Sequence, residues 1–432
     1  MSYQRRDVQY HHVLDGPVNN DLPLDYFDLS DDEVRCRFRW ARRQGHPLWL
    51  WPETTIEGWQ AALVEIEQAA RLILTGSGRR ASLEGSAEDI GIAAFTSGMG
   101  PLLGYWARQG LLDAEPPVRS ILDLHYRHNC RRMDRLARYA SEAVEALAAA
   151  GIGVTVLKGM HTAYSYFPEP GTRPMSDIDL LIEPSDKQAA ATVLAELSYV
   201  PGVTALREQS WRMSGCPAEP RSLSLTHQDN PWNIDLHTSL DKRYSPGAPL
   251  IAVDRALGNR AREPWQLTMK GGVLPPNDLA LHLAVHASAS FISLTMIRLT
   301  ELVLVIQSIQ EDHSSFWDGF LALSEQTGSV SNVYPALYFA NGIVEGTVPK
   351  FVLQTLEGQA PTAVRRVVGR HTAVTCQRMQ RYSLEERFMW TRTLRGWMRE
   401  VLRDIFPEVG LSELPGIYAA RLCVLARGSI TR

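Results

Sequence analysis

Two short apolar runs interrupt a sequence whose other segments mostly repeat apolar residues with the spacing of helices. Val154–Leu157 and Asp177–Ile182 have the β-branched and apolar composition of buried strands. Asn233–His237 has the same character, and a turn at Asp229–Pro231 predicts that it forms a hairpin with Leu223–Thr226. The sequence therefore predicts an α+β fold in which a small sheet core is embedded between N-terminal and C-terminal helical regions.

The same patterns divide the chain into four predicted regions. With 432 residues, the chain has the length of two or three domains and can bury a sizeable apolar core. The regions are a helical N-terminal extension (1–85), a helical region that packs on the core (86–150), the α+β core (151–240) and a helical C-terminal domain (241–432). A glycine-containing polar segment, Ser77–Gly85, marks the first boundary.

Charge, hydropathy and cysteine content exclude several classes of protein. Lys plus Arg number 44 against 48 for Asp plus Glu, without a long basic stripe, so a nucleic-acid template is not expected. No stretch reaches the ~18 uninterrupted apolar residues of a membrane span, and the N-terminus lacks the apolar segment of a secretory signal. The five cysteines are scattered without a C-x-x-C pair, which argues against a disulfide framework and predicts a cytoplasmic protein.

Residues 30–51 combine arginines with aromatic residues and allow two interpretations. Ser30 and Glu33 have the spacing of a capping box, which predicts that a helix begins here. Five arginines lie among Phe38 and Trp40, which fits a docking surface for a polyanion or a protein partner. The simpler interpretation, which we favour, is a solvated helix face beside a tryptophan-rich core anchor.

Asp177 and Asp179 flank a single apolar residue in a predicted buried strand. Residues i and i+2 of a strand point to the same face, so the two carboxylates are expected to lie side by side. Adjacent carboxylates repel each other unless a cation lies between them. Asp235 is similarly placed between Ile234 and Leu236. We therefore predict that Asp177, Asp179 and Asp235 are catalytic metal ligands for two Mg²⁺ ions, with Mn²⁺ as an alternative.

Lys158 and Gly159 stand where the first predicted strand passes into a helix. Glycine lets the backbone approach a ligand closely, and a helix N-terminus offers free N–H groups and a partial positive charge. Lys158 and Arg173 supply cations for a triphosphate, and the guanidinium group suits bidentate contacts. The segment is therefore a candidate phosphate cradle.

His282 and His286 are four residues apart on one predicted helix. Two histidines on one helix face can bind zinc, but the H-E-x-x-H motif is absent because leucine follows His282. We expect instead a helix face directed toward the acceptor, or histidines that make hydrogen bonds in the core.

The order of these features resembles the nucleotidyltransferase fold of the DNA polymerase beta superfamily. A strand, Lys-Gly, a helix, an arginine-containing loop, an Asp-x-Asp strand and a later acidic strand follow one another. More narrowly, the chain from about Glu88 to Arg427 resembles a bacterial family of uncharacterised nucleotidyltransferases. The segments that carry this resemblance are Val156–Gly159, Tyr164, Pro168, Arg173–Ile182, Ile234–His237, Leu281–His286, Phe406–Pro407 and Tyr418–Arg427.

Two positions depart from the patterns that these groups share. Lys158 stands where the wider superfamily has glycine or serine. The narrower family resembles this chain in having lysine there. Glu301 stands where an aspartate is expected on the helix that follows the histidine-bearing one.

The resemblance implies nucleotidyl transfer, in which an acceptor attacks the α-phosphorus of a Mg²⁺-bound nucleoside triphosphate and pyrophosphate leaves. It implies that Asp177 and Asp179 bridge both metal ions and that Asp235 completes the ion that lowers the acceptor's pKa. Arg173 would stabilise charge at the reacting or leaving phosphate. For His237, on the strand face of Asp235, three interpretations stay open: contact with a phosphate, orientation of an acid, or a hydrogen-bonded structural histidine. The expected nucleotide-binding residues are Lys158, Gly159, Arg173, Ser176 and His237.

The expected acceptor is a small molecule, a peptide or a protein in a bacterial biosynthetic pathway. Two alternatives remain open at this point. One is a non-catalytic nucleotide-binding scaffold that docks a partner through residues 30–51. The other is a phosphotransferase that moves the γ-phosphoryl group, for which the product would be a nucleoside diphosphate in place of pyrophosphate.

Overall fold

The computed structural model describes residues 29–44, 50–51, 53–204, 207–216, 227, 229–245, 247–257, 261–289, 294–309, 313–377, 384–391 and 393–405. Helices dominate these ranges and surround a mixed sheet, which confirms the predicted α+β class. None of the described helices combines the length and the apolar character that crossing a membrane requires.

Helices and one small parallel sheet form the N-terminal part of the described chain. Its elements are α1 (Asp31–Gln44), α2 (Ile56–Leu74), β1 (Ala81–Leu83), α3 (Ala87–Ser97), α4 (Gly100–Arg108), β2 (Leu112–Ala114) and α5 (Pro116–Ala149). The start of α1 agrees with the predicted cap, because Ser30 Oγ accepts a hydrogen bond of 3.3 Å from the backbone N–H of Glu33. The parallel pairing of β1 with β2 was not predicted, since three residues are too few to show a strand period.

A seven-stranded mixed sheet forms the centre of the fold, in the order β5-β6-β7-β4-β3-β9-β8. Its segment contains β3 (Thr155–Val156), α6 (Lys158–Ser165), β4 (Asp177–Leu181), α7 (Lys187–Glu196), β5 (Tyr199–Thr204), β6 (Glu208–Met213), β7 (Asn233–His237), α8 (Val253–Leu257), β8 (Glu263–Pro264) and β9 (Gly272–Val273). The central strands β4 and β7 are parallel, and their register places Asp179 opposite Asp235.

The predicted hairpin between β7 and Leu223–Thr226 is wrong, because β4 and β6 are the strands that pair with β7. β7 pairs in parallel with β4 on one edge and antiparallel with β6 on the other, so both edges are filled. Residues 223–226 themselves lie outside the described residues. β6 was not predicted from the sequence. Trp211 is its only buried residue, so the segment has neither an apolar run nor an alternation of apolar and polar residues.

The C-terminal part of the described chain consists of helices. They are α9 (Pro276–Ala289), α10 (Met296–Gln307), α11 (His313–Thr327), α12 (Val330–Ile343), α13 (Lys350–Gln359), α14 (Thr362–Val368), α15 (Leu384–Phe388) and α16 (Leu394–Ile405). One apolar core joins these helices to the N-terminal ones, and a second lies between the sheet, α5 and α7.

Trp51 and Trp59 are completely buried in the first core, which agrees with the predicted tryptophan anchor. Trp51 packs against Phe95 on α3, with ring centroids 5.3 Å apart. Arg37 on α1 pairs with Glu53 at 2.9 Å, so part of the arginine-rich face serves contacts within the chain. Helices α1 and α2 and Trp51 between them are therefore part of the first apolar core.

Candidate active site

Three aspartates converge on one face of the central sheet. Asp177 and Asp179 extend from β4, and Asp235 extends from the neighbouring β7. One carboxylate oxygen from each lies within 4.8 Å of the others. Ile178 and Ile234, which point to the opposite face, are completely buried in the apolar core. The alternation of side chains along the two strands thus brings together the three acids that sequence analysis selected.

The donor set of this triad fits a divalent cation. Carboxylate oxygens are the ligands that Mg²⁺ and Mn²⁺ prefer. The Oδ1 atom of Asp235 is buried and has no hydrogen-bond partner, although buried acceptors in proteins are nearly always satisfied. Within the described part of the chain, the triad is the only cluster of three or more acids, histidines or cysteines with metal-binding geometry.

The pKa values of the two aspartates of β4 are shifted in opposite directions. Burial raises the pKa of Asp177 to about 6, and the neighbouring charge of Asp179 acts in the same direction. Burial would also raise the pKa of Asp179, but the Lys158 ammonium and a hydrogen bond from His237 outweigh it and hold that pKa well below its usual range. Asp179 is therefore the permanently charged member of the pair.

Lys158 is the first residue of α6, and its side chain reaches the triad. Its Nζ lies 3.1 Å from Asp179 Oδ1. Gly159 follows in the first turn, where backbone N–H groups have no partner within the helix. A Cβ added at Gly159 would meet Met175 at 3.4 Å and Arg173 at 3.6 Å, which are ordinary contact distances. The packing of the chain itself therefore does not require glycine at this position.

His237, the last residue of β7, donates a hydrogen bond to the same carboxylate. Its Nε2 lies 2.9 Å from Asp179 Oδ1, and its Nδ1 lies 3.5 Å from Glu208 Oε2 on β6. This arrangement is compatible with two of the three interpretations of His237, orientation of an acid and a hydrogen-bonded structural histidine. Ser176, immediately before β4, is exposed beside Asp177.

Arg173 lies in the site but is committed to a carboxylate of the chain. Its Nη2 and Nε donate to the two oxygens of Glu301 on α10 at 2.9 and 3.2 Å, and its Nη1 donates to the Pro174 carbonyl at 2.6 Å. Thr162 on α6 also donates to Glu301. Glu169, the nearest acid that precedes Arg173 in the sequence, instead accepts a hydrogen bond from Tyr126. The unexpected Glu301 is thus the counter-charge of Arg173.

Two further cations near the triad, Lys242 and Arg298, were missed by sequence analysis. Lys242 Nζ lies 3.3 Å from His286 Nδ1 on α9. Arg298 lies one turn before Glu301 on α10, and its charge acts on both aspartates of β4. No local motif marks either residue. The one available signal was that Arg298 interrupts the most apolar stretch of the sequence.

Arg132 on α5 holds the segments that lead into β4 and β7. Its side chain donates to the carbonyls of Met175 at 3.0 Å, Asn230 at 2.7 Å and Pro231 at 2.9 Å. The residue is only 2% exposed, so these bonds are shielded from water. Arg132 therefore fixes the relative positions of the two strands that carry the triad.

We expect Arg132→Met to lower the free energy of unfolding by about 2–4 kcal/mol, because several buried carbonyls lose a charged donor. The matched control is Arg135→Met on the same helix. Arg135 pairs with Asp229 in a partly exposed bridge of 3.0 Å, so its loss should cost about 1 kcal/mol or less. Urea unfolding followed by tryptophan fluorescence measures both. Equal costs for the two variants would contradict the assigned role of Arg132.

Comparison with known proteins agrees with this geometry. A family model described as "Uncharacterised nucleotidyltransferase" matches residues 87–344, a span that includes the triad, Lys158, Arg173 and Glu301. No curated protein and no solved structure is significantly similar to the chain. The match ends before the predicted tail segments, Phe406–Pro407 and Tyr418–Arg427, which lie outside the described residues. Since the matched span is more than half of the sequence, the chain belongs to the uncharacterised nucleotidyltransferase family.

Proposed function

We propose that the protein is a Mg²⁺-dependent nucleotidyltransferase that transfers a nucleoside monophosphate from a nucleoside triphosphate to a small-molecule, peptide or protein acceptor. The observation that carries the proposal is the convergence of Asp177, Asp179 and Asp235, whose ligand atoms lie within 4.8 Å of one another. Family membership supports the reaction class. The proposed pathway is a bacterial biosynthetic one.

The three carboxylates are proposed to bind the metal ions, and Asp235 also to accept a proton from the acceptor. Two Mg²⁺ ions bound by them would supply charge neutralisation at the phosphates and lower the pKa of the acceptor. Asp235 is proposed to accept the acceptor's proton as well as to hold a metal ion. The acceptor oxygen or nitrogen then bonds to the α-phosphorus while the bond to the bridging β-phosphate oxygen breaks, and its electron pair leaves with pyrophosphate.

The residues around the triad are proposed to position the substrate. Lys158 lies close enough to the carboxylates to contact both Asp179 and an incoming phosphate. The free N–H groups of the first turn of α6, including that of Gly159, suit a phosphate oxygen. Because the chain's own packing tolerates a Cβ at Gly159, close approach of the ligand is the proposed reason for glycine. Ser176 is exposed and accessible to the same ligand. His237 is proposed to orient Asp179.

The experiment that tests the proposal identifies both products. Wild-type protein is incubated with Mg²⁺, each of the four nucleoside triphosphates and a panel of hydroxyl- or amine-bearing small molecules and peptides. We expect pyrophosphate, together with an acceptor whose mass increases by one nucleoside monophosphate. A nucleoside diphosphate with a phosphorylated acceptor would instead favour γ-phosphoryl transfer. Tight nucleotide binding without any product across the panel would favour the scaffold alternative.

Lys158→Met provides a further test, because it should strengthen metal binding but lower the rate of turnover. Lys158 Nζ neutralises Asp179 at 3.1 Å and therefore competes with a metal ion for that carboxylate. We expect the affinity for Mn²⁺, measured by electron paramagnetic resonance, to rise about tenfold, since the competing charge interaction is worth ~1–2 kcal/mol. Pyrophosphate release should fall. Lys270→Met, which removes an exposed lysine, is the matched control and should change neither quantity. Weaker Mn²⁺ binding in Lys158→Met would contradict the competition.

A further inference from the structure

Four cations interact electrostatically with the aspartates of β4, and they differ in whether the chain already supplies a counter-charge. Lys158 pairs with Asp179, and Arg173 forms a two-contact pair with Glu301. No carboxylate in the described ranges lies within ion-pair distance of Arg298 or Lys242. Since an unpaired buried charge is costly, a pair of them beside a candidate active site is a mark of ligand binding.

Arg298 is held in the site by the geometry of α10. It precedes Glu301 by three residues, so both side chains lie on the same helix face, and Glu301 is fixed by its contacts with Arg173. The Nη1 atom of Arg298 is buried and has no hydrogen-bond partner. The charges of Asp177 and Asp179, as well as those of Arg173 and Glu301, act on the pKa of Arg298, so the guanidinium group is within electrostatic range of the triad.

Lys242 lies on the side of the site formed by the histidine-bearing helix α9. Burial, together with the charges of Lys158 and Lys242, lowers the pKa values of His282 to about 3 and of His286 well below its usual range. His286 is therefore neutral and accepts a hydrogen bond from the Lys242 ammonium. The Nε2 of His282 is buried without a partner. Lys242 is thus oriented by an uncharged group, and no carboxylate of the described residues forms an ion pair with it.

The two residues repel each other in the absence of an anion. Burial lowers the pKa of Lys242 to about 8, and the charges of Lys158 and Arg298 act in the same direction. Burial and the nearby Arg173 also lower the pKa of Arg298. An anion with several oxygens would relieve both the repulsion and the unsatisfied donors.

We propose that Arg298 and Lys242, and not Arg173, are the side chains that bind the β- and γ-phosphates of the nucleoside triphosphate. The identity of the ligand rests on the proposed function, whereas the choice of residues rests on which cations the chain leaves unpaired. In this assignment Arg173 is a positioning residue that anchors Glu301, and through it the face of α10 that carries Arg298. A guanidinium group on α10 and an ammonium group from the segment between β7 and α8 would both contact the polyphosphate.

The test uses inorganic tripolyphosphate with Mg²⁺, which carries the phosphates without a base or a reactive α-phosphorus. Calorimetry on the full chain compares wild type with Arg298→Met and Lys242→Met. Each variant should weaken binding about 10- to 100-fold, the usual effect of losing a hydrogen bond to a charged group. Arg298→Lys, which keeps the charge, should recover part of the loss. Arg255→Met on α8 and Lys270→Met remove exposed cations of the same types and should bind as wild type does.

Binding of Mn²⁺ alone separates this inference from the proposed function. We expect Arg298→Met and Lys242→Met to bind Mn²⁺ at least as tightly as wild type, because each loses a repelling charge. If wild type binds Mn²⁺ and tripolyphosphate but both variants bind tripolyphosphate equally well, the inference fails and the proposed function stands. If wild type binds neither, both fail. Thermal melts identify a variant that does not fold, in which case the other position decides the outcome.

Discussion

Asp179→Asn is expected to lower the rate of nucleotidyl transfer by about a thousandfold or more, since metal-ion stabilisation of a transition state is worth several kcal/mol and each ~1.4 kcal/mol is tenfold. Asp179 lies at the centre of the site, because it faces Asp235 across the strands and contacts both Lys158 and His237. Its pKa lies well below its usual range, so the wild-type residue is a permanent anion. The amide keeps the shape of the side chain but removes that charge.

The variant should retain its fold, which separates a chemical effect from a structural one. The substituted asparagine side chain would still offer an oxygen to Lys158 or His237, and Ile178 and Leu180 would remain in the core. Pyrophosphate release and Mn²⁺ binding report the chemistry, and circular dichroism reports the fold. Asp113→Asn, at an exposed position of β2, is the matched control and should be as active as wild type. Turnover of Asp179→Asn within tenfold of wild type would refute the metal-ligand assignment.

The second large expected effect concerns stability. Glu301→Leu should lower the free energy of unfolding by about 3–5 kcal/mol, because it leaves the Arg173 guanidinium without its counter-charge in the interior. Glu301 is 2% exposed and accepts from two nitrogens of Arg173 as well as from Thr162. The double variant Arg173→Met/Glu301→Leu should recover most of this loss, since replacing both charges with apolar groups removes the unpaired one.

A double-mutant cycle by urea unfolding measures the coupling between the two residues. The double variant also tests the role of Arg173 in ligand binding. If Arg173 acts only through Glu301, the double variant should bind tripolyphosphate within a few-fold of wild type as long as α10 stays in place. Additive losses of stability in the two single variants would contradict the pair. Loss of tripolyphosphate binding in a stable double variant would indicate that Arg173 itself binds phosphate, as the sequence predicted.

The triad could be predicted because Asp-x-Asp within an apolar run is a local sequence pattern, and because every strand places residues i and i+2 on one face. Alternation along a strand places Asp177 and Asp179 on one face wherever the strand lies. The apolar neighbours of Asp235 identified a second strand of the same kind. The spatial meeting of the two strands came from the resemblance to known nucleotidyltransferases, and the parallel register of β4 and β7 accounts for it.

The missed elements share a physical cause. β6 supplies the second edge contact of β7, yet one buried tryptophan in six residues produces no periodic signal. β1 and β2 are three residues each, too short for any pattern to stand out. Such strands form because the neighbouring backbone offers hydrogen bonds, and their own side chains contribute little to that choice.

By itself, the sequence determined most helical segments, the strands β3, β4 and β7, the α+β class and the common face of Asp177 and Asp179. Side-chain direction along a helix or strand is a property of the local backbone. The tertiary structure alone decided which charges meet. Arg173 forms an ion pair with Glu301, 128 residues away, whereas Lys242 meets only the neutral His286, 44 residues away, through a hydrogen bond. Partners at such separations depend on how helices pack across the sheet, and no local spacing encodes that packing. Which cations remain unpaired, and are therefore available to a polyphosphate, emerges only when all of these contacts are present together.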